Sequence, residues 1–233
     1  MPLIQFDRGD VVPAYGSRST YVAAHLREFI VSGHLLPDEQ LRVDTVAAHF
    51  AVSTTPVREA LQTLVVEGFL DRSAGSGFTV HPLTPQDIED VFLTHAFVAG
   101  ELAARATPLL TDADIRELRA IHHETVAVLE RSHRHLLPEK SRAFHRQINR
   151  AAPAPKLWWL TSLFLKYVPQ ALYSDIEGWP EITRTGQERL LAAIEARDVE
   201  AAREAASANI LSSGRALAEY FAETVQHQRE STG

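Results

Sequence analysis

The stretch Leu36–Leu70, LPDEQLRVDTVAAHFAVSTTPVREALQTLVVEGFL, constrains the fold most. It reads as helix, tight turn, helix. Ala47, Ala48 and Phe50 sit on a short amphipathic helix, and Ala51-Val52 forms the turn. Ser53 is placed as the N-cap of the second helix, and Pro56 is tolerated in its first turn. Val57, Leu61, Leu64 and Val65 recur at helical spacing and are expected to face a core. Ser53, Thr54, Thr55, Arg58 and Glu59 are then left on an exposed leading edge. Such an edge suits a recognition helix that puts its first side chains into a DNA major groove.

At these residues the chain resembles a known family. VSTTPVREAL followed by L-x-x-E-G-F-L is similar to the winged helix-turn-helix of GntR-type transcriptional regulators. LREFIVSGHLLPDEQL upstream resembles the family's opening helix and turn. Asp71–Val80 downstream resembles the wing, with Gly75 and Gly77 at a tip that glycine allows to approach a phosphate backbone closely. The resemblance spans about Arg18 to Val80. A helix-turn-helix used only for packing would not require PVREAL and a wing in this order.

Charge sets a condition on this reading. Residues 1–80 hold six Lys/Arg against nine Asp/Glu, a net −3 within a total of −7. Phosphate neutralisation supplies much of DNA affinity, so the few arginines have to share one face. Arg18, Arg27, Arg42, Arg58 and Arg72 are the available cations, and dimerisation would double them. The resemblance implies DNA contacts from Arg58, Ser53, Thr54, Thr55, Arg72, Gly75, Gly77 and Arg42. Two positions depart from the family's pattern. Thr54 stands where an arginine is common, and Asp44 where a basic residue often begins the preceding helix. Arginine reads guanine bidentately, whereas threonine offers one hydroxyl and a methyl, so an altered operator or weaker binding is expected.

After Pro82 only helices are expected, over about 85–106, 112–132, 138–151, 155–174, 180–196 and 198–225. Thr84 with Pro85, Thr111-Asp112 and Asp198 supply start signals, and prolines punctuate. The apolar run at Trp158-Trp159-Leu160 predicts a helix buried in a bundle or at a dimer interface, or else the lining of an apolar effector site. This half resembles the all-helical effector domain of FadR-like GntR regulators, the FCD type. The residues that carry the likeness are Glu101–Ala106, Arg142–His145, and Ala193–Asp198 with Ala201-Ala202. The fold class is therefore mainly α: an N-terminal winged helix-turn-helix and a C-terminal helical bundle. The expected bounds are an arm at 1–14, the DNA-binding domain at 15–82, the effector and dimerisation domain at 83–228, and a tail at 229–233.

Many FCD domains are known to hold a divalent metal through one Asp and three His. Aligned residue by residue, the histidine is kept as His145, while the other three positions fall on Ser141, Gln187 and Asn209. Amides and hydroxyls are poor ligands for transition metals, so no metal cofactor is expected. The family's effector-binding arginine position falls on Phe97, beside Gly100, which predicts a more apolar first wall. His145, Ser141, Gln187, Asn209 and Phe97 are the expected effector residues, with His95 at the rim. The competing reading is a closed hydrogen-bond network with no ligand. His122-His123 and His133/His135 are expected on solvated surfaces.

The other classes are weaker. Ser141 and His145 share a helix face, as a nucleophile and base would, but no nucleophile elbow, phosphate loop or dinucleotide fingerprint accompanies them. A ligand-binding scaffold that has lost DNA binding is the runner-up. Hydrophobic residues at 45% allow packed cores without a run of membrane-spanning length. The absence of cysteine excludes a disulfide framework, and the opening MPLIQFDRGD lacks the blocks of a signal peptide. The expectation is a cytoplasmic homodimeric repressor that binds double-stranded palindromic DNA and a small-molecule effector.

Overall fold

The computed structural model describes residues 17–73, 77–131, 133–169 and 176–232. They fall into two compact units: residues up to Thr84 together with those from Phe221 onward, and Pro85–Tyr220. The expected arm at 1–14 and the wing-tip residue Gly75 lie outside the described residues.

The first unit begins with α1 (Arg18–Val31), whose N-cap Ser17 accepts a hydrogen bond from the Thr20 N–H at 3.2 Å. Val22, Ala23, Leu26 and Ile30 of α1 are buried and form a core with α3 (Thr54–Val66). On α3 the buried positions are Val57, Ala60, Leu61 and Leu64. Ala60 thus completes the stripe in place of Val65, which is only half-buried. Between them, α2 (Val43–His49) is joined to α3 through Ala51, which takes a left-handed backbone with φ 51° and makes the tight turn.

The wing is β2 (Leu70–Arg72) paired antiparallel with β3 (Phe78–Val80), Leu70 opposite Val80 and Arg72 opposite Phe78. A third strand, β1 (Gln40–Leu41), pairs with the other edge of β3 and gives the order β1-β3-β2. Two residues carry no legible alternation, so β1 has no sequence signal.

The second unit holds α4 (Pro85–Ala106), α5 (Asp112–Glu130), α6 (Leu137–Ala151), α7 (Pro155–Phe164), α8 (Trp179–Glu195) and most of α9 (Val199–Thr232). Local chemistry fixes the starts. Thr111 and Asp114 form a capping box on α5, and Asp198 accepts from the Ala201 N–H at 3.0 Å. Proline occupies the first turn of α4, α6, α7 and α8, where its missing N–H costs nothing. Leu118, Phe144, Ile148, Leu190 and Ile194 are buried at the centre with Ala202 of α9.

Three expectations need correction here. The last helix does not end at 225, because α9 continues to Thr232. Its last turns belong to the first unit. Gly33, at φ +77°, packs so closely on them that a Cβ there would lie 3.1 Å from Val225 Cγ2 and 3.2 Å from the Phe221 carbonyl oxygen. The run around Trp158 is not a buried core helix: Thr161 is the buried residue of α7, and Trp159 is 59% exposed. That helix ends at Phe164 and passes into a 3₁₀ turn over Leu165–Tyr167; its expected end at 174 lies outside the described residues.

Candidate nucleic-acid interface and ligand cavity

In the first unit the N-terminal edge of α3 is open to solvent. Ser53 is the N-cap by backbone geometry, yet its side chain makes no capping bond. Its hydroxyl therefore remains available beside Thr54 and Thr55, both exposed. One helical turn further, the Arg58 side chain lines a cleft of about 290 Å³ with Arg42, Asp44, Ser73 and Gly77. The elements explain the gathering. Leu41 in β1 is held against Phe78 in β3, which brings the residue after it, Arg42, next to the wing. Ser73 donates its N–H to the Gly77 carbonyl at 3.1 Å and closes the described base of the wing.

Among the described residues neither Arg58 nor Arg42 has an ion-pair partner, and both are exposed. Arg72 is exposed on β2 but does not line the cleft. Arg27 is not a cation for DNA. It is bound to Glu67 at 2.7 Å, with both side chains largely buried, and its guanidinium lies 5.8 Å from the Phe69 ring centre. Asp44 stands in the first turn of α2, a helix whose N-cap Arg42 makes no side-chain capping bond. A carboxylate there favours the helix dipole, which is the structural reason an acid is tolerated inside a cationic cleft.

In the second unit a cavity of about 230 Å³ opens between the helices. Phe92, His95, Ala99 and Ala103 contribute one stripe of α4 to it, and Ser141, His145 and Ile148 one stripe of α6. Trp158, Thr161 and Leu165 come from α7 and the turn after it, and Asn209, Ile210 and Ser213 from α9. The Asn209 Nδ2 donates to His145 Nε2 at 3.5 Å. His145 keeps accessible surface because it faces this cavity, while burial in protein lowers its pKa to about 4. His95 is 5% exposed and stacks on Phe164 with ring centres 5.2 Å apart. Burial, and then the neighbouring His145, lower its pKa to about 3, so both imidazoles are neutral near pH 7. Its Nδ1 is buried without a hydrogen-bond partner, as is the Asn209 Oδ1.

The likenesses to known proteins agree with this anatomy. Residues 18–80 match the gntR family of bacterial regulatory proteins, and residues 90–211 match the FCD domain. The chain belongs to the GntR family. The Nta operon transcriptional regulator of Aminobacter aminovorans is 37% identical over 89 residues, 38% of this chain and 42% of that protein. A probable D-xylose utilization operon transcriptional repressor of Paenarthrobacter nicotinovorans is 33% identical over 140 residues, 57% of this chain and 60% of that protein. The chain thus spans only about half the length of these curated relatives. The solved structure of E. coli McbR/YncC superimposes with a TM-score of 0.61 at 25% identity, covering 91% of this chain and 99% of that one. The chain accordingly carries a gntR-family winged helix-turn-helix followed by an FCD domain.

For a GntR regulator of the FCD type, the donor set departs from a metal site. His145, Ser141 and Asn209 line the cavity, but Gln187 does not. The Gln187 Oε1 instead accepts from His122 Nδ1 at 3.3 Å, and its Nε2 is buried without a partner. One imidazole, one hydroxyl and one amide remain, with no carboxylate, and among the described residues no three His, Cys, Asp or Glu side chains converge. Such a set does not fit a transition metal, which needs several imidazoles, carboxylates or thiolates at about 2.0–2.3 Å.

Three further placements differ from expectation. Phe97 is 78% exposed and forms no wall of the cavity, because it lies two residues from His95 and so on the other side of α4. Gly100 lines no wall either; it lets α4 approach the Arg203–Ser207 turn of α9, which a Cβ would strike. His122 is bonded to Gln187 rather than simply solvated, whereas His123, His133 and His135 are exposed. The residues that sequence reasoning missed, Phe92 and Ala99, follow His95 at helical spacing, and that period was the available signal.

Proposed function

We propose that this GntR regulator is a repressor that binds a roughly palindromic operator as a homodimer and releases it when a small molecule enters the helical cavity. The observation that carries the DNA half is the cleft that joins Arg58 and Arg42 to the wing, with neither cation ion-paired among the described residues. Two-fold protein symmetry asks for two-fold DNA symmetry, and a second copy doubles the cations of a head that is net negative. Repression follows the name of the D-xylose operon relative. The effector half rests on the cavity and on His95 in its lining, whose Nδ1 is buried without a partner, since buried polar groups ordinarily have partners. A ligand that prefers one arrangement of the heads shifts operator affinity by that preference. Such a regulator acts in the cytoplasm, where its DNA is.

Asp44 inside the cleft favours the second reading, a ligand-binding scaffold without DNA affinity. A gel shift on the promoter region beside the protein's own gene separates the two. A shifted band that weakens steeply with salt supports the regulator. Absence of any shift at low salt, with the protein folded, supports the scaffold.

A further inference from the structure

The cavity's lining selects among ligand charges. Among the described residues no Asp or Glu lines it, so a cationic ligand finds no counter-charge. Arg142 and Arg146 line it too, but both are exposed to solvent. A carboxylate buried against α4 would face Phe92, Ala103 and a histidine that carries no acid partner, and a buried unpaired charge is far costlier than a neutral polar group.

The polar atoms that remain ask for a two-sided partner. Thr161 and Ser213 already donate their hydroxyl protons to the Leu157 and Asn209 carbonyls, so their oxygens can only accept. His95 Nδ1 serves as donor or acceptor according to tautomer, and the plane of its ring is held by the stack on Phe164. Amide and hydroxyl groups meet both demands because each donates and accepts. The volume of about 230 Å³ is many times what a single water needs, so a compact organic molecule has room.

We infer that the FCD cavity binds a compact, uncharged organic molecule through an amide or hydroxyl group bonded to His95 Nδ1, with no metal ion between ligand and protein. The inference rests on reading the cavity as the effector site. His95 is its anchor, in place of the metal and the arginine that the family pattern would supply at His145 and Phe97.

The test uses tag-free full-length protein near neutral pH and three probes of one shape: benzamide, benzoate and benzylammonium, with Zn²⁺ alone as a fourth. Affinities are read by ligand-observed NMR and calorimetry. Benzamide should bind at least about tenfold tighter than either ion. EDTA should change neither its affinity nor the protein's melting temperature. His95→Phe keeps a ring against Phe164 and should weaken benzamide by about tenfold or more with the fold intact by circular dichroism. Should that variant not fold, His95→Gln, which keeps a donor and an acceptor, should retain most of the affinity. Benzoate binding as tightly as benzamide, a metal requirement, indifference to His95→Phe in a folded protein, or no benzamide binding up to ~10 mM would each overturn the inference. Benzamide that binds as expected without changing operator affinity would leave the ligand class standing and remove the effector reading.

Discussion

The cleft of the winged head gathers arginines and the cavity of the helical unit gathers histidines, each among small polar residues, and the two treat charge in opposite ways. Arg58 and Arg42 stay in water and carry no ion pair among the described residues. A phosphate or a guanine edge can meet them without first breaking an internal bond. His95 and His145 are sunk among helices and held neutral. Solvent exposure makes the first site a long-range attractor, and desolvation makes the second a short-range discriminator that works by hydrogen bonds and shape.

If the units carry separate cores, damage to one should leave the other intact. The largest effect is expected from Leu61→Ala, which empties the fully buried centre of the α1–α3 contact and should cost about 2–5 kcal/mol. All three tryptophans lie in the helical unit, so their fluorescence follows that unit alone. Circular dichroism should show an early partial melt of the variant while the tryptophan transition stays in place. A single transition, displaced equally in both signals, would break the comparison.

Acid should do the reverse. Both cavity histidines have folded-state pKa values, about 3 and about 4, below the ordinary value of 6.5. The unfolded chain then binds more protons than the folded one as pH falls through 6.5. Stability is full above that pH and is lost progressively toward pH 4, on the order of 2 kcal/mol per histidine by pH ~5. Urea unfolding followed by tryptophan fluorescence at pH ~7 and ~5 measures it. His145→Gln should flatten the dependence, and a pH-independent midpoint in the wild type would contradict neutral burial.

The head was the more legible half because its site is nearly contiguous. Ser53 to Arg58 lie within two turns of one helix, so the spacing that defines the helix also defines its exposed edge. What stayed hidden there is tertiary. Arg27 counts as an available cation by sequence, but Glu67 and Phe69, some forty residues on, occupy it. The cavity is assembled from α4, α6, α7, α8 and α9, and each contributes residues whose orientation depends on where its helix packs. His145, Ser141 and Asn209 could be located by the family's spacing. Phe97 and Gln187 could not, since a helix turned by half a revolution moves a side chain from wall to solvent. Of the settings expected for the run at Trp158, burial inside the bundle does not hold for Trp159, while Trp158 lines the cavity: an apolar sequence does not say what covers it.

A smaller effect sharpens the account of the head. Asp44 is the acid in the cleft, so Asp44→Asn should raise operator affinity roughly threefold at low salt, with the gain fading as salt screens the charge. Loss of affinity would mean that Asp44 is needed chiefly to stabilise the first turn of α2.

The most direct measurement concerns Arg58. Operator DNA selected from a random pool by the full-length protein is titrated by fluorescence anisotropy with wild type and Arg58→Ala. The cleft geometry predicts a loss of about 1–3 kcal/mol of operator binding for the variant, with its circular dichroism and melting unchanged. Unchanged affinity in a folded Arg58→Ala protein would contradict the placement of α3 as the recognition helix.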